Sequence, residues 1–478
     1  MTTMMLAAMD ATIVSTVVPQ IVADLGGFSL FTWVFSIYVL AQAVTIPIYG
    51  KLADQYGRKP ILLSGTVIFL AGSAACAAAW DMHSLIFFRA LQGIGAGAIM
   101  ATVNTLAGDL FAVRERARIQ GWLSSVWGLS AIAGPTLGGV FAEYASWRWI
   151  FFVNVPVGVI SLFLISIFLH EKVEKRSHTI DYLGGLFILL TIGTFVFMLL
   201  QAGQAWPWFS WQTAALLAAF LVLLAISIQV ERKAAEPIIP AWLWRNRVLS
   251  GSNLAMVAMG IVMMGPIAYL PTFAQSVYGL STITAGFVLA VMSIGWPVAS
   301  SFSGRLYLSI GFRNTALIGA SFLAAAAILF LLFAEGAPVG FIVFNQLLIG
   351  AGFGLISTPL LVGSQAIVGW SQRGVVTGGN MFSRYLGQTL GAAIFGAIFN
   401  AVLSRHLREA PSDMPVTGDI NRVIEALHDS QQTVAVVDYI RHAIFDATQH
   451  IYMGILVLSV VIFLFICLTP KHFPLVEE

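Results

Sequence analysis

Charged residues are few: Lys and Arg number 24 and Asp and Glu 22 in 478 residues, or 10% of the chain. A soluble domain carries roughly a quarter of its residues as charges, so an ordinary soluble protein is excluded. Cysteine is nearly absent, and Cys76 and Cys467 each lie inside an apolar run. No disulfide framework or thiolate metal site follows from them, and they read as small core residues. The net charge of +2 comes from short basic clusters between apolar runs, with no basic face for nucleic acid. A phosphate-cradling Gly-Lys-Ser/Thr loop, a zinc-ligand cluster and a stretch long enough for a soluble catalytic domain are all missing. Neither an enzyme nor a bound metal or organic cofactor is expected. The first apolar run has no basic residue before it and carries Asp10 in its middle, unlike a cleaved signal peptide. Residues 1–22 are therefore expected to remain as a span.

What the chain has in abundance is apolar sequence, 58% of its residues, in long uninterrupted runs. A bilayer-spanning helix needs roughly 20 mostly apolar residues, and in lipid only helices and closed barrels satisfy their own backbone. The runs predict an all-α integral membrane protein with fourteen spans, at 1–22, 30–49, 61–80, 84–108, 120–142, 150–169, 182–202, 212–230, 250–275, 282–303, 314–333, 339–362, 375–402 and 449–468. Basic residues concentrate in alternate loops, among them Lys51, Arg58 and Lys59; Arg114, Arg116 and Arg118; Arg305 and Arg313; and Arg373. The positive-inside rule then places both termini in the cytoplasm. Residues 403–448 form the one long exterior loop, in which Ile420, Val423, Ile424 and Leu427 follow the spacing of an amphipathic helix.

Short motifs recur along the chain. Gly50-Lys-Leu with Gly57 returns as Gly304-Arg-Leu with Gly311, Gly93-Ile-Gly-Ala-Gly as Gly350-Ala-Gly-Phe-Gly, and Gly134-Pro-Thr-Leu-Gly as Gly387-Gln-Thr-Leu-Gly, at offsets of 254, 257 and 253. Three matches in one order imply an internal repeat. The expected organisation is a six-helix half over 1–170, two inserted helices with linkers over 171–248, and a second six-helix half over 249–478.

Chemistry is confined to a few positions. Asp10 is a carboxylate deep in a span, where an ionised group is costly unless paired or wet, so it marks either an ion pathway or a permanent ion pair that only fixes helix packing. Burial favours the neutral acid and a nearby cation favours the carboxylate, so such a group changes charge with its surroundings. Arg89 and Arg384 are cations within spans, and Arg89 is a candidate partner for Asp10, although counting residues leaves it about 10 Å nearer the outer face. In the repeat Gln346 takes the place of Arg89. Arg384 faces either a cavity or Asn380 and nearby carbonyls. Asp54, Arg58 and Asp109, with the turn glycines Gly50 and Gly57, suit an inner latch or simple topology-setting charge. Gly128, Gly134, Pro135, Gly138 and Gly139 give span five a small face and a bend, suiting a closely packed pivot. Trp33, Trp127, Trp296, Met256, Met259, Met263 and Met264 offer aromatic and polarizable surface for a tolerant pocket or for plain packing.

These residues resemble the major facilitator superfamily, and within it the fourteen-span drug:proton antiporter family. The Gly50–Pro60 loop looks like its motif A, with Asp109 as the usual partner. Arg89-Ala-Leu-Gln92-Gly93-Ile-Gly95 is similar to motif B, whose Arg is linked to proton coupling. Gly128 through Gly139 resembles the antiporter motif C, Leu6 to Val14 the acidic motif of span one, and Trp147 to Pro156 the fifth-to-sixth-span signature. The resemblance implies two six-helix halves plus two central helices, and a proton-coupled exporter of amphiphilic drugs in the plasma membrane, with the proton as coupling ion and no other cofactor. Its partners would be the bilayer, protons and an amphiphilic small molecule, and the protein is expected to be monomeric. Spans ten and thirteen lack the further acids of some family members, which keeps neutral, zwitterionic and anionic cargo among the candidates. Two rival readings keep the fold: a dedicated exporter of one metabolite or lipid, and a transport-inactive sensor or scaffold.

Overall fold

The structure, a computed structural model, describes residues 1–478 except 15–16, 27–30, 172–180, 203–204, 236, 333–335, 410–433, 475 and 477–478. Its helices are α1 (Thr2–Ile13), α2 (Val18–Leu25), α3 (Phe31–Tyr56), α4 (Arg58–Ala77), α5 (Met82–Leu110), α6 (Val113–Tyr144), α7 (Trp149–Phe152), α8 (Asn154–Phe168), α9 (Tyr182–Gln201), α10 (Trp211–Lys233), α11 (Trp242–Arg245), α12 (Arg247–Tyr278), α13 (Thr282–Ile310), α14 (Phe312–Leu331), α15 (Val339–Ala366), α16 (Arg373–Glu409) and α17 (Val434–Cys467). Eleven of the described helices are long and apolar enough to cross a bilayer, counting α7 and α8 as one. With α6, α9, and α1 and α2 counted as one, the described residues form fourteen rods. Large apolar side chains face outward along them, such as Phe163 and Phe168 of α8 and Leu221 and Val222 of α10, as lipid contact requires.

The recurrent glycines sit at recurrent contacts. A Cβ on Gly93 would lie 2.5 Å from the Tyr38 carbonyl oxygen of α3, and one on Gly350, its counterpart, would run into the Met292 carbonyl oxygen of α13. Gly95 meets α4 at Phe69, and Gly352 meets α14 at Leu323 and Gly319. Thus α5 packs between α3 and α4 as α15 packs between α13 and α14. Gly134 brings α6 against α1 at Thr12, and Gly387 brings α16 against α12 at Val257. Gly57 and Gly311 begin α4 and α14 with φ of 94° and 88°, a left-handed region that glycine enters without strain. Close helix approach needs small residues at fixed places, so the repeat is written in glycine.

The two halves meet where α6 runs along α13 and α3 along α16. Helix α9 lies against both α3 and α16, so it covers one of these seams, and α10 packs on α9. The segment leading into α12 crosses the same seam, with Leu243 and Ile239 packed beside Val376 and Val368.

Along the expected first span α1 is described to Ile13 and α2 from Val18, with residues 15–16 between them outside the described residues. One expected boundary changes. The loop expected over 403–448 is much shorter, because α16 runs to Glu409 and α17 begins at Val434. Asp438, Arg441 and Asp446 lower the apolar character of that added stretch, while Val436, Ile440, Ala443 and Ile444 bury its other face. The expected amphipathic helix around Ile420–Leu427 lies outside the described residues.

Candidate functional site

Asp10 and Arg89 form an ion pair inside the first half. Both side chains are essentially inaccessible, and Arg89 Nη1 lies 2.5 Å from Asp10 Oδ2. The carboxylate also accepts from Gln92 Nε2 at 2.8 Å and from Asn154 Nδ2 at 3.3 Å. Arg89 in turn donates to Gln92 Oε1 at 2.7 Å and to the Val34 carbonyl at 3.1 Å, and its guanidinium stacks 4.2 Å from the Tyr38 ring centroid. Asn154 is tied to Ser73, which donates to the Phe151 carbonyl. Four helices, α1, α5, α4 and α8, thus meet at one acid. Arg89, counted from the sequence as about 10 Å nearer the outer face, nevertheless reaches Asp10 directly.

A cavity of about 560 Å³ lies between the halves. Trp127, Met263, Asn380 and Arg384 line it, together with Trp296 and Gln120. Trp33 and Gln346 do not. Trp33 packs on Phe197 of α9 at 5.5 Å, and Gln346 is buried within the second half, donating to Tyr452 Oη at 2.9 Å. Asp10 is not a lining residue either: α1 presents Met4 and Thr12 to the cavity and Asp10 to α5 and α8. At about 100° per residue these fall on different faces of one helix. Thr12 also donates to the Ser130 carbonyl of α6 at 2.8 Å, inside the glycine-rich stretch, where Gly128 abuts the Ser293 carbonyl of α13. Gly138 is buried in α6; Pro135 and Gly139 are in the same helix, their side-chain surroundings lying outside the described residues.

At the end of the bundle that the charge pattern assigns to the cytoplasm, Gly50, Asp54, Gly57, Arg58 and Asp109 converge. Arg58 is fully buried and pairs with Asp54 at 2.8 Å and Asp109 at 2.7 Å. The same guanidinium donates to the Trp370 carbonyl at 2.6 Å and lies 3.8 Å from that indole's centroid. Asp54 accepts the backbone N–H groups of Gly374 and Val375, both at 2.8 Å, so it caps the first turn of α16, where the helix dipole favours an anion. Asp109 also pairs with Arg373 at 3.3 Å, and Gln365 donates to the Asn104 carbonyl at 3.0 Å. Gly50 permits this: a Cβ there would stand 2.5 Å from the Gly374 carbonyl oxygen. In the second copy, exposed Leu308 replaces Asp54, and Tyr307 donates instead to the Val113 carbonyl at the start of α6.

Sequence reasoning missed Gln92 and Asn154 as ligands of Asp10, though both stand inside the quoted motifs and Gln92 follows Arg89 by one helical turn. It also missed Arg373, Trp370 and Gln365, whose partners lie more than 250 residues away and leave no local signal. Arg148 and Trp147 donate to the Asp24 carboxylate at 2.6 and 3.0 Å and fasten the α6–α7 turn to α2.

Residues 1–392 match the family model of the Major Facilitator Superfamily. Multidrug resistance protein 3 of Bacillus subtilis is 36% identical over 459 residues, covering 94% of this chain and 90% of its own. The multidrug transporter protein MdtP of Bacillus subtilis is 35% identical, covering 83% and 74%. The efflux pump FUS6 of Gibberella moniliformis is 32% identical, covering 83% and 72%. Among solved structures, the human organic anion transporter MFSD10 superposes with a TM-score of 0.66 at 15% identity, covering 97% of both chains, a likeness of fold alone. The chain is a multi-span membrane transporter and belongs to the Major Facilitator Superfamily.

Proposed function

We propose that this transporter exports amphiphilic small molecules across the cell membrane in exchange for protons, by alternating access between its two halves. The observation that carries the reading is that α1 holds a buried acid on one face and borders an amphiphilic cavity with another. Three of its relatives are named for multidrug transport or efflux, which supports export of small molecules.

Asp10 binds the proton. As a carboxylate it is held by Arg89, Gln92 and Asn154; as a neutral acid it loses the ion pair, and Arg89 falls back on Gln92, the Val34 carbonyl and the Tyr38 ring. That change alters how α1 sits against α5 and α8, and α1 transmits it to Met4 and Thr12 at the cavity wall. With both termini cytoplasmic, the Asp54–Arg58–Asp109 cluster is an inner latch, closed here across the α3–α16 seam. The structure then corresponds to a state shut toward the cytoplasm. The proton is the coupling ion, and no other cofactor enters the cycle.

Uptake of an amphiphilic dye into liposomes holding the protein, under an imposed pH gradient, tests this. Accumulation is expected to collapse when the gradient is dissipated and in Asp10→Asn. Equal accumulation with and without the gradient would overturn proton coupling.

A further inference from the structure

The polar wall of the cavity holds donors that lack acceptors. Three of its lining side chains hold buried N–H groups with no hydrogen-bond partner among the described residues: Arg384 Nε, Asn380 Nδ2 and Gln120 Nε2. All three are donors. Asn380 and Arg384 stand one turn apart on α16, and Gln120 comes from α6, so both halves contribute. No Asp or Glu lines the cavity among the described residues, and Arg384 is its one lining cation. The remaining wall is soft and apolar: Trp127, Trp296 and Met263 are among its members.

Buried donors without acceptors are costly, so a chamber built this way favours a guest that supplies acceptors. An ammonium would meet the Arg384 guanidinium, whose neighbours Tyr385 and Trp296 are uncharged, and no counter-charge among the lining residues. A carboxylate or sulfonate would meet the flat fork of an Arg and two amide donors, with its apolar body against the indoles and thioethers. Resting on the export function proposed above, we infer that the preferred cargo is an aromatic or aliphatic organic anion, bound with its acid group at Arg384, Asn380 and Gln120.

The inference fixes the electrical character of the cycle. One proton moving in against one monovalent anion moving out carries two positive charges inward, whereas exchange of a proton for a monovalent cation carries none. Export of the anion therefore responds to membrane potential as well as to pH.

Three probes sharing a ring and a four-carbon chain test it: 1-pyrenebutyrate, 1-pyrenebutanol and 1-pyrenebutylamine. Binding to the purified full chain, read from energy transfer from tryptophan to pyrene, is expected to be at least tenfold tighter for the carboxylate than for the amine. In Arg384→Gln the affinity of the carboxylate relative to the alcohol is expected to fall about tenfold, while Arg384→Lys keeps part of the preference. Gel filtration and melting temperature report whether each variant is folded, and the wild-type comparison needs no variant. In liposomes, transport of 1-pyrenebutyrate should accelerate under a valinomycin-imposed potential, negative on the cytoplasmic-face side. Equal or tighter binding of the amine, or a carboxylate preference that survives in folded Arg384→Gln, would overturn the inference. Proton exchange with the amine but not the carboxylate would overturn it while leaving the exporter standing. Lack of binding by all three probes would also overturn it, and proton-coupled uptake of an unrelated dye would then still support export.

Discussion

Asp10 and Arg89 place opposite charges in an interior where neither can be left alone. Removing one partner of such a pair typically costs about 3–5 kcal/mol, because the other stays buried and uncompensated. Arg89→Gln is therefore expected to lower the apparent melting temperature markedly, and the double variant Asp10→Asn/Arg89→Gln to regain much of that loss, since no net charge is then stranded. Thermal unfolding of both variants in detergent measures this; simple additivity of the two single effects would show that the charges are not coupled. The sequence singled out Asp10 because a carboxylate inside an apolar run is conspicuous. Gln92 and Asn154 were less legible, since uncharged polar residues are common in spans and nothing local shows which of them face an acid.

Glycine spacing decides how the helices meet. A methyl at Gly350 would run into the Met292 carbonyl oxygen, a backbone atom that cannot turn aside, whereas nothing stands within 4 Å of one at Gly193 in α9. Gly350→Ala is expected to cost about 1–3 kcal/mol by overpacking. Gly193→Ala is expected to be neutral or stabilising by up to about 1 kcal/mol, from helix propensity alone. Gly311→Ala, at a φ of 88°, is expected to cost about 1–2 kcal/mol for a different reason, the clash of a Cβ in the left-handed region. Chemical denaturation midpoints of the three variants separate these cases. At this scale the sequence was most legible where contact geometry demands one residue type, as in the paired glycine motifs. It was least legible in α17, whose beginning carries exposed Asp438 and Arg441 and, beside His406 of α16, Asp446, and so reads as loop.

Across the whole molecule, the ends of the halves that carry the basic loops are joined by a small set of strong contacts. Arg58 reaches Trp370, Asp54 caps α16, Asp109 pairs with Arg373, and Gln365 donates to Asn104. Their cooperative loss would let the ends part. Spin labels at exposed Leu110 and Leu308, one in each half, are expected to give a short distance in the wild type and a second, longer population in Arg58→Ala. An unchanged distribution would show that the cluster does not hold the seam. This joint was half legible: Asp54, Arg58 and Asp109 are charges at the ends of spans, but their partners on α16 are set by tertiary folding.

The central claim is that cargo moves one way only as protons move the other, and direct recording of proton flux tests it most sharply. Liposomes with an acidic lumen and the export-facing side inward, loaded with a pH-reporting dye, are expected to show a rise in lumenal pH when a transported amphiphile is added. That rise should be absent in Asp10→Asn. Uptake of the amphiphile at equal rates by both proteins, with no change in lumenal pH, would contradict the account.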